Sequence, residues 1–364
     1  MKHAQILKRS WDILWSYRTL WIFGLILALT TGSSFNGNGQ ASSSTNQPDK
    51  PENQYTPEDF GPDFAQDFSQ EMEEFVREMK DWYENGIPQE VRRPLIATAI
   101  ILGVVILLLI VVSTILRYVS ETAVIKMVDE YEQAGVKHGI RQGFRIGWSR
   151  SAWRLFLIDL LIALTLLVLF GSLIGICAIL IFLGFSGGQV TGVLSVVAGI
   201  GLLFIVLFLT ILTVIAAVIM ARYIYRSCVL DGKGVLDSIK HGYALTRQHL
   251  KDTGVLALIM LGINIAYPIL MLPFSLLTLG ISVLLGGGSA AVLGGILGVF
   301  SGNTSISAIL PTIVVGGLVF LVVLILPLAF VKGFKLIYQS SAWTLAYREI
   351  KDMSPLALDD TTTA

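Results

Sequence analysis

Leu7-Lys8-Arg9-Ser10-Trp11-Asp12-Ile13-Leu14-Trp15 opens a pattern that the chain repeats as Ile140-Arg141-Gln142-Gly143-Phe144-Arg145-Ile146-Gly147-Trp148 and as Ile239-Lys240-His241-Gly242-Tyr243-Ala244-Leu245-Thr246-Arg247. Each copy begins aliphatic, basic, variable, small, aromatic, variable, aliphatic, and each leads into a long apolar run. Leu7, Trp11, Leu14 and Trp15 fall at i, i+4, i+7 and i+8, the spacing of one face of an amphipathic helix. Ile140, Phe144, Gly147 and Trp148 keep that spacing; in the third copy the last turn is degenerate. Aromatic rings favour the headgroup level of a bilayer and basic groups favour its anionic leaflet. The pattern therefore has two readings: an interfacial elbow that anchors the following span, or a specific lipid or partner contact through Lys8, Trp11, Arg141, Phe144, Lys240 and Tyr243. The copies repeat at offsets of 133 and 99 residues, which predicts three two-helix units in tandem or pseudo-threefold order.

Composition sets the solvent. The chain is 54% hydrophobic and only 14% charged, where soluble domains carry roughly 25% charged residues. Between 155 and 221 the only Asp, Glu, Lys, Arg or His is Asp159, and between 253 and 331 there is none. Each stretch is long enough for two helices of about 20 residues. Gly184–Gln189 divides the first, and the Gly-rich segment from Gly286 to Asn303 divides the second. The predicted fold is all-α, with spans at about 95–117, 155–183, 190–221, 253–285 and 305–331 inside a membrane domain over 95–364. A short sixth span follows the first elbow at 19–29, within 1–31.

Lys and Arg counts orient the spans. With the N-terminus inside, the inner segments hold 21 Lys and Arg, against 5 in the outer loop 32–94, which also carries 13 of the 26 acids. Both termini are then cytoplasmic. The first 31 residues also resemble a signal peptide, but their elbow matches two internal copies that cannot be signals. Cys177 and Cys228 fall on opposite sides of the bilayer, which excludes a disulfide between them.

Within the outer loop, 32–57 is a Ser-, Asn- and Gly-rich linker. After it, Phe60, Phe64, Phe68, Met72, Phe75 and Met79 recur every three or four residues with acids between them. This predicts an acidic amphipathic helix over about 62–84, stopped by Asn85-Gly86 and Pro88. Its stripe would pack on the chain's own spans or on an extracytoplasmic partner protein. On the inner side, 121–133 reads as a charged helix ending at Gly135. A cytoplasmic C-terminal helix is predicted over 334–353.

Enzymatic patterns are scarce. The four histidines show no His-Glu-x-x-His pairing, and there is no phosphate loop or Gly-x-Ser-x-Gly elbow. No catalytic, metal or cofactor residue is predicted, and nothing points to nucleic acid. Two intramembrane polar groups remain as weak candidates for a site, Asp159 and Asn264. Asp159 lies about 7.5 Å of helix rise past Arg154, which favours a structural pair with Arg117 or Arg222 over an ion relay. Pro268, Pro273, Pro311 and Pro327 could break the spans around a polar cavity. Gly171 with Gly175, and Gly294 with Gly298, have the spacing of close helix packing.

The Lys8-Arg9-Ser10-Trp11 and Arg141-Gln142-Gly143-Phe144 motifs, the six-span layout and the ending Ser341-Ala342-Trp343-Thr344-Leu345-Ala346-Tyr347-Arg348 carry a resemblance. The chain is similar to uncharacterised bacterial six-span membrane proteins, namely the membrane domain joined to some glycerophosphodiester phosphodiesterases and the stand-alone YciC type. The resemblance covers nearly all of the chain outside 32–94. It implies a multi-pass protein of the bacterial inner membrane. It does not bring the phosphodiesterase activity, whose metal-binding barrel has no counterpart in any segment of this sequence. Two functions follow as expectations: a non-enzymatic protein of membrane or envelope organisation acting through lipid or protein contacts, or a small transporter or lipid-handling protein with a cavity near Asp159 or Asn264.

Overall fold

A computed structural model describes residues 2–31, 77, 89–186, 189–298 and 306–353; within the helices, the side chains of 89–95, 98–99, 185–186, 189–191, 306–308 and 310 are not described. Most of the described residues are helical, with no strand among them. In chain order the helices are α1 (His3–Ser16), α2 (Thr19–Thr30), α3 (Gln89–Ala134), α4 (Ile140–Gly147), α5 (Arg150–Ser186), α6 (Gln189–Leu230), α7 (Val235–Gln248), α8 (Leu250–Ile296) and α9 (Ile306–Met353). The predicted acidic helix over 62–84 lies outside the described residues, Arg77 excepted.

Five of these helices, α3, α5, α6, α8 and α9, are long and apolar enough to cross a membrane. They run for 46, 37, 42, 47 and 48 residues, where a crossing takes about 20. The surplus changes the reading of both inner segments. The stretch 121–133 is the continuation of α3, which stops at Gly135 in the left-handed region (φ +67°). The segment 334–353 is the far end of α9 and not a separate C-terminal helix. A hydropathy window ends a span where charges begin. A helix does not end there when its exposed carbonyls can keep their i→i−4 partners and its next turns find something to pack on.

Other boundaries also move. Gly286-Gly287-Gly288-Ser289 was expected to divide two spans but lies inside α8. Pro268 and Pro273 sit inside α8, and Pro311 and Pro327 inside α9, without ending either helix. The short first span is α2, only 12 residues and bent 101° from α1. At 1.5 Å per residue it covers about 18 Å, short of a bilayer's hydrocarbon core of roughly 30 Å. It crosses only if α1 and α2 are counted together.

The chain divides into two compact units, Met1–Ser33 with Thr114–Ala364, and Ser34–Ser113. In the second unit, the described side chains from Ile100 to Val112 are all exposed.

In the larger unit the buried core lies toward the charged ends of the long helices. Tyr118–Val128 of α3, Ala221–Val229 of α6 and Ile337–Ile350 of α9 supply most of it, joined by Ile13, Leu20 and Phe23 of the N-terminal pair and by Leu245 and Leu256. The elbow helices α1, α4 and α7 pack into this layer through the small residue of each copy. Ser10, Gly143 and Gly242 are all buried. A Cβ on Gly143 would stand 2.6 Å from the Phe23 ring, and one on Gly242 would stand 2.9 Å from the Ile224 backbone.

Away from that layer, α5 pairs with α6 and α8 with α9. These pairs meet through small residues: Gly184 lies against Val196, Gly199 against Ile181, and Gly286 against Gly316 and Phe320. Gly171 and Gly175, expected to pack closely, have open space where a Cβ would stand. The α2 helix lies on α9 glycine to glycine, with a Cβ on Gly333 coming within 2.7 Å of the Gly24 backbone.

Candidate functional site

Asp159 lies between three helices. α5 carries it two turns past the first buried residues of that helix, α3 brings Arg117 and Tyr118, and α6 brings Tyr225. The Tyr118 hydroxyl donates to Asp159 Oδ2 at 2.7 Å, and the Tyr225 hydroxyl donates to Oδ1. Arg117 Nη2 stands 3.7 Å from Oδ2. Of the two partners expected for Asp159, the structure selects Arg117. The guanidinium also lies over the Tyr118 ring, 5.4 Å from its centroid.

These four polar side chains form one end of a cavity of about 450 Å³. Its other walls are apolar: Phe156, Leu160, Ala163 and Leu166 of α5 face Val214, Ala217 and Val218 of α6. Leu160 and Val218 are half exposed, so the cavity opens sideways between the helices. The result is a groove with a charged end and a hydrocarbon body.

Asn264 does not line this groove. It is exposed on α8 and accepts a hydrogen bond from Gln339 Nε2 of α9 at 3.0 Å. Of the two residues, Asp159 lines this groove and Asn264 lies elsewhere. Near the second, Lys335 Nζ sits 4.4 Å from the Tyr267 ring centroid, a cation–π distance.

Arg226, one residue after Tyr225, lies deep in the core at 1% exposure. Its Nη1 donates to the Arg222 carbonyl at 2.6 Å and its Nη2 to the Ser340 carbonyl at 3.0 Å, while Nε has no partner. It joins α6 to α9. Sequence reading passed over Arg226, Tyr118 and Tyr225. Arg117-Tyr118-Val119 and Arg222-Tyr223-Ile224 share a pattern at the charged ends of two spans, but a shared pattern does not say which neighbours face inward.

The elbow residues divide into two sets. Lys8, Arg141 and Lys240 are exposed, as are Trp11 and Tyr243. Phe144 instead turns inward to Phe23, ring centroids 5.0 Å apart. Trp11 stands edge-on to Trp15 at 5.9 Å and to Tyr338 at 6.2 Å. From there an aromatic ladder continues through Trp21 and Phe334 to Phe330. Ion pairs tie the charged ends together: Arg9 to Glu132 at 2.8 Å, Arg348 to Asp129 at 3.0 Å, and Lys351 to Asp231 at 2.7 Å.

Among the described residues, no three His, Cys, Asp or Glu converge as a metal set. Cys177 and Cys228 are both buried and free. At Asp159, both carboxylate oxygens already accept hydrogen bonds from tyrosines, and no nucleophile–base pair lies beside them.

No curated protein and no solved structure matches the chain. Residues 7–341 match the family of unknown function DUF7544, and the chain, matched over more than half its length, belongs to that family.

Proposed function

We propose that this is a non-enzymatic integral membrane protein that acts in membrane or envelope organisation through lipid contacts at its basic, aromatic-rimmed end. The observation that carries this is the surface of the elbows. Trp11, Trp15, Trp148, Trp153 and Tyr243 are exposed around them, beside exposed Lys8, Arg141, Arg145 and Lys240. Aromatic rings and basic groups together suit the headgroup layer of an anionic leaflet. In this reading each elbow turns the chain from the surface of the inner membrane into a hairpin of spans. The bent α1–α2 pair serves as the sixth crossing, and both termini are cytoplasmic.

Tryptophan fluorescence tests the lipid contact. In bilayers containing phospholipid brominated near the headgroup, the elbow tryptophans are quenched, and Trp148→Phe with Trp153→Phe removes part of that quenching. Quenching of the same tryptophans by aqueous iodide instead would overturn the lipid reading and point to a protein or solvent face. Turnover of a hydrolysable substrate lost on a single substitution would overturn the non-enzymatic part. Orientation is tested apart from function. Because the native cysteines are buried, an impermeant thiol reagent on intact cells should label Asn53→Cys and miss Lys240→Cys; the reverse pattern inverts the topology.

A second reading, a lipid-handling protein or small transporter, is favoured by the groove at Asp159. Loss of a measurable flux in Asp159→Asn supports transport. An unchanged flux removes it.

A further inference from the structure

We infer that the groove between α3, α5 and α6 seats one phospholipid whose head group carries both a phosphate and an ammonium, with the phosphate on Arg117, the ammonium on Asp159 and an acyl chain along the apolar walls. This rests on the lipid-contact reading and gives it a site and a head group.

The charged end offers both signs within one head group's reach. Arg117 and Asp159 are 3.7 Å apart, with side chains 40% and 24% exposed. Neither is sealed by the other. A carboxylate has about four acceptor positions, and Tyr118 and Tyr225 occupy one on each oxygen. A guanidinium has five N–H donors, and Arg117 Nε is buried without a partner. The two tyrosines hold the carboxylate in place in the groove lining, with acceptor positions to spare.

Charge complementarity selects the ligand. An anionic head group without an amine meets the Asp159 carboxylate, and a cation without a phosphate meets Arg117. A zwitterion matches both. The body of the groove fits the other half of the molecule. Asp159 to Leu166 spans about 10 Å of helix at 1.5 Å per residue, with Ala163 and Ala217 leaving room between α5 and α6. Its volume of about 450 Å³ lies within the range of ligand pockets. The sideways opening at Leu160 and Val218 lets a lipid enter from the bilayer without crossing the protein.

The experiment uses the full chain in nanodiscs of equal phosphatidylethanolamine and phosphatidylglycerol, followed by native mass spectrometry of the lipid that stays bound. The wild type is expected to retain phosphatidylethanolamine over phosphatidylglycerol by about fivefold to tenfold, the size of one ordinary net hydrogen bond. Asp159→Asn is expected to bring that ratio to about one, and Arg117→Gln to lower retention of both lipids. Ala217→Trp, which fills the apolar body and leaves the polar cluster intact, is expected to lose bound lipid while the protein stays monodisperse. Should Asp159→Asn not fold, Ala217→Trp decides: unchanged retention overturns the site. Equal binding of the two lipids by the wild type overturns this inference alone, as does a preference that survives Asp159→Asn. Retention of no phospholipid by the wild type overturns the lipid-contact reading with it.

Discussion

The charged ends of the long helices and their apolar midsections are built from the same helices but held together differently. At the charged ends, Ala123, Val124, Ile125, Tyr223, Ile224, Ile337 and Ala346 are buried from all sides, and ion pairs close the periphery. In the midsections large side chains point outward: Phe204 is 70% exposed and Leu284 75%. There, contact falls to glycines that let backbones approach. The contrast follows from the solvent on each side. Where water is present, burying apolar area is worth roughly 25 cal/mol per Å², so a conventional core forms. In lipid that driving force is absent, and close backbone packing takes its place.

Substitutions break this contrast in order of effect. Arg226→Ala should be the most damaging, at about 3 kcal/mol, because it removes two hydrogen bonds from α6 and α9 and leaves a cavity in the core. A large fall in the melting temperature of the detergent-solubilised protein would show it. A near-neutral result would mean that α6 and α9 are held by apolar contact alone. Gly242→Ala should cost about 2 kcal/mol, since its Cβ would meet Ile224 atoms at 2.6–2.9 Å; the same melting curve reports it.

Gly316→Ala probes the lipid-facing mode. Its Cβ would lie 2.6 Å from Ala290 Cβ and 3.0 Å from the Gly286 carbonyl. The expected cost is about 1 kcal/mol, visible as looser α8–α9 pairing by crosslinking between cysteines placed on the two helices. Lys351→Ala should cost less than about 1 kcal/mol, because the pair is partly exposed and Tyr347 still donates to Asp231 at 2.6 Å. Gly171→Ala closes the series. With nothing near its Cβ, it should be neutral or stabilising by up to about 1 kcal/mol through helix propensity. A marked loss there would reveal a neighbour on that face of α5.

Particular residues show what the sequence made legible. That Asp159 meets an arginine was readable, because a lone carboxylate near a membrane surface needs a cation; the choice of Arg117 over Arg222 was not. The elbows were readable from their spacing, and the small residue in each copy was the part that mattered most for packing. Gly171 and Gly175 were misread because a four-residue spacing says which face two glycines share and not whether a helix lies on it. The continuity of α3 past the membrane was missed because Glu121, Lys126, Asp129 and Glu130 lower the hydropathy of a stretch whose intervening residues are all buried.

The sequence by itself determined the solvent of each segment. Hydropathy and charge belong to single residues and sum along the chain, so they mark the apolar helices, the basic end and the elbows without reference to neighbours. Only the tertiary structure decided that the helices overrun the apolar zone into a common core, that Arg226 is buried, and that Tyr118 and Tyr225 meet on Asp159 at the end of a groove. Those are properties of helix pairs. They depend on rotation and register between segments more than 40 residues apart, which no local pattern encodes.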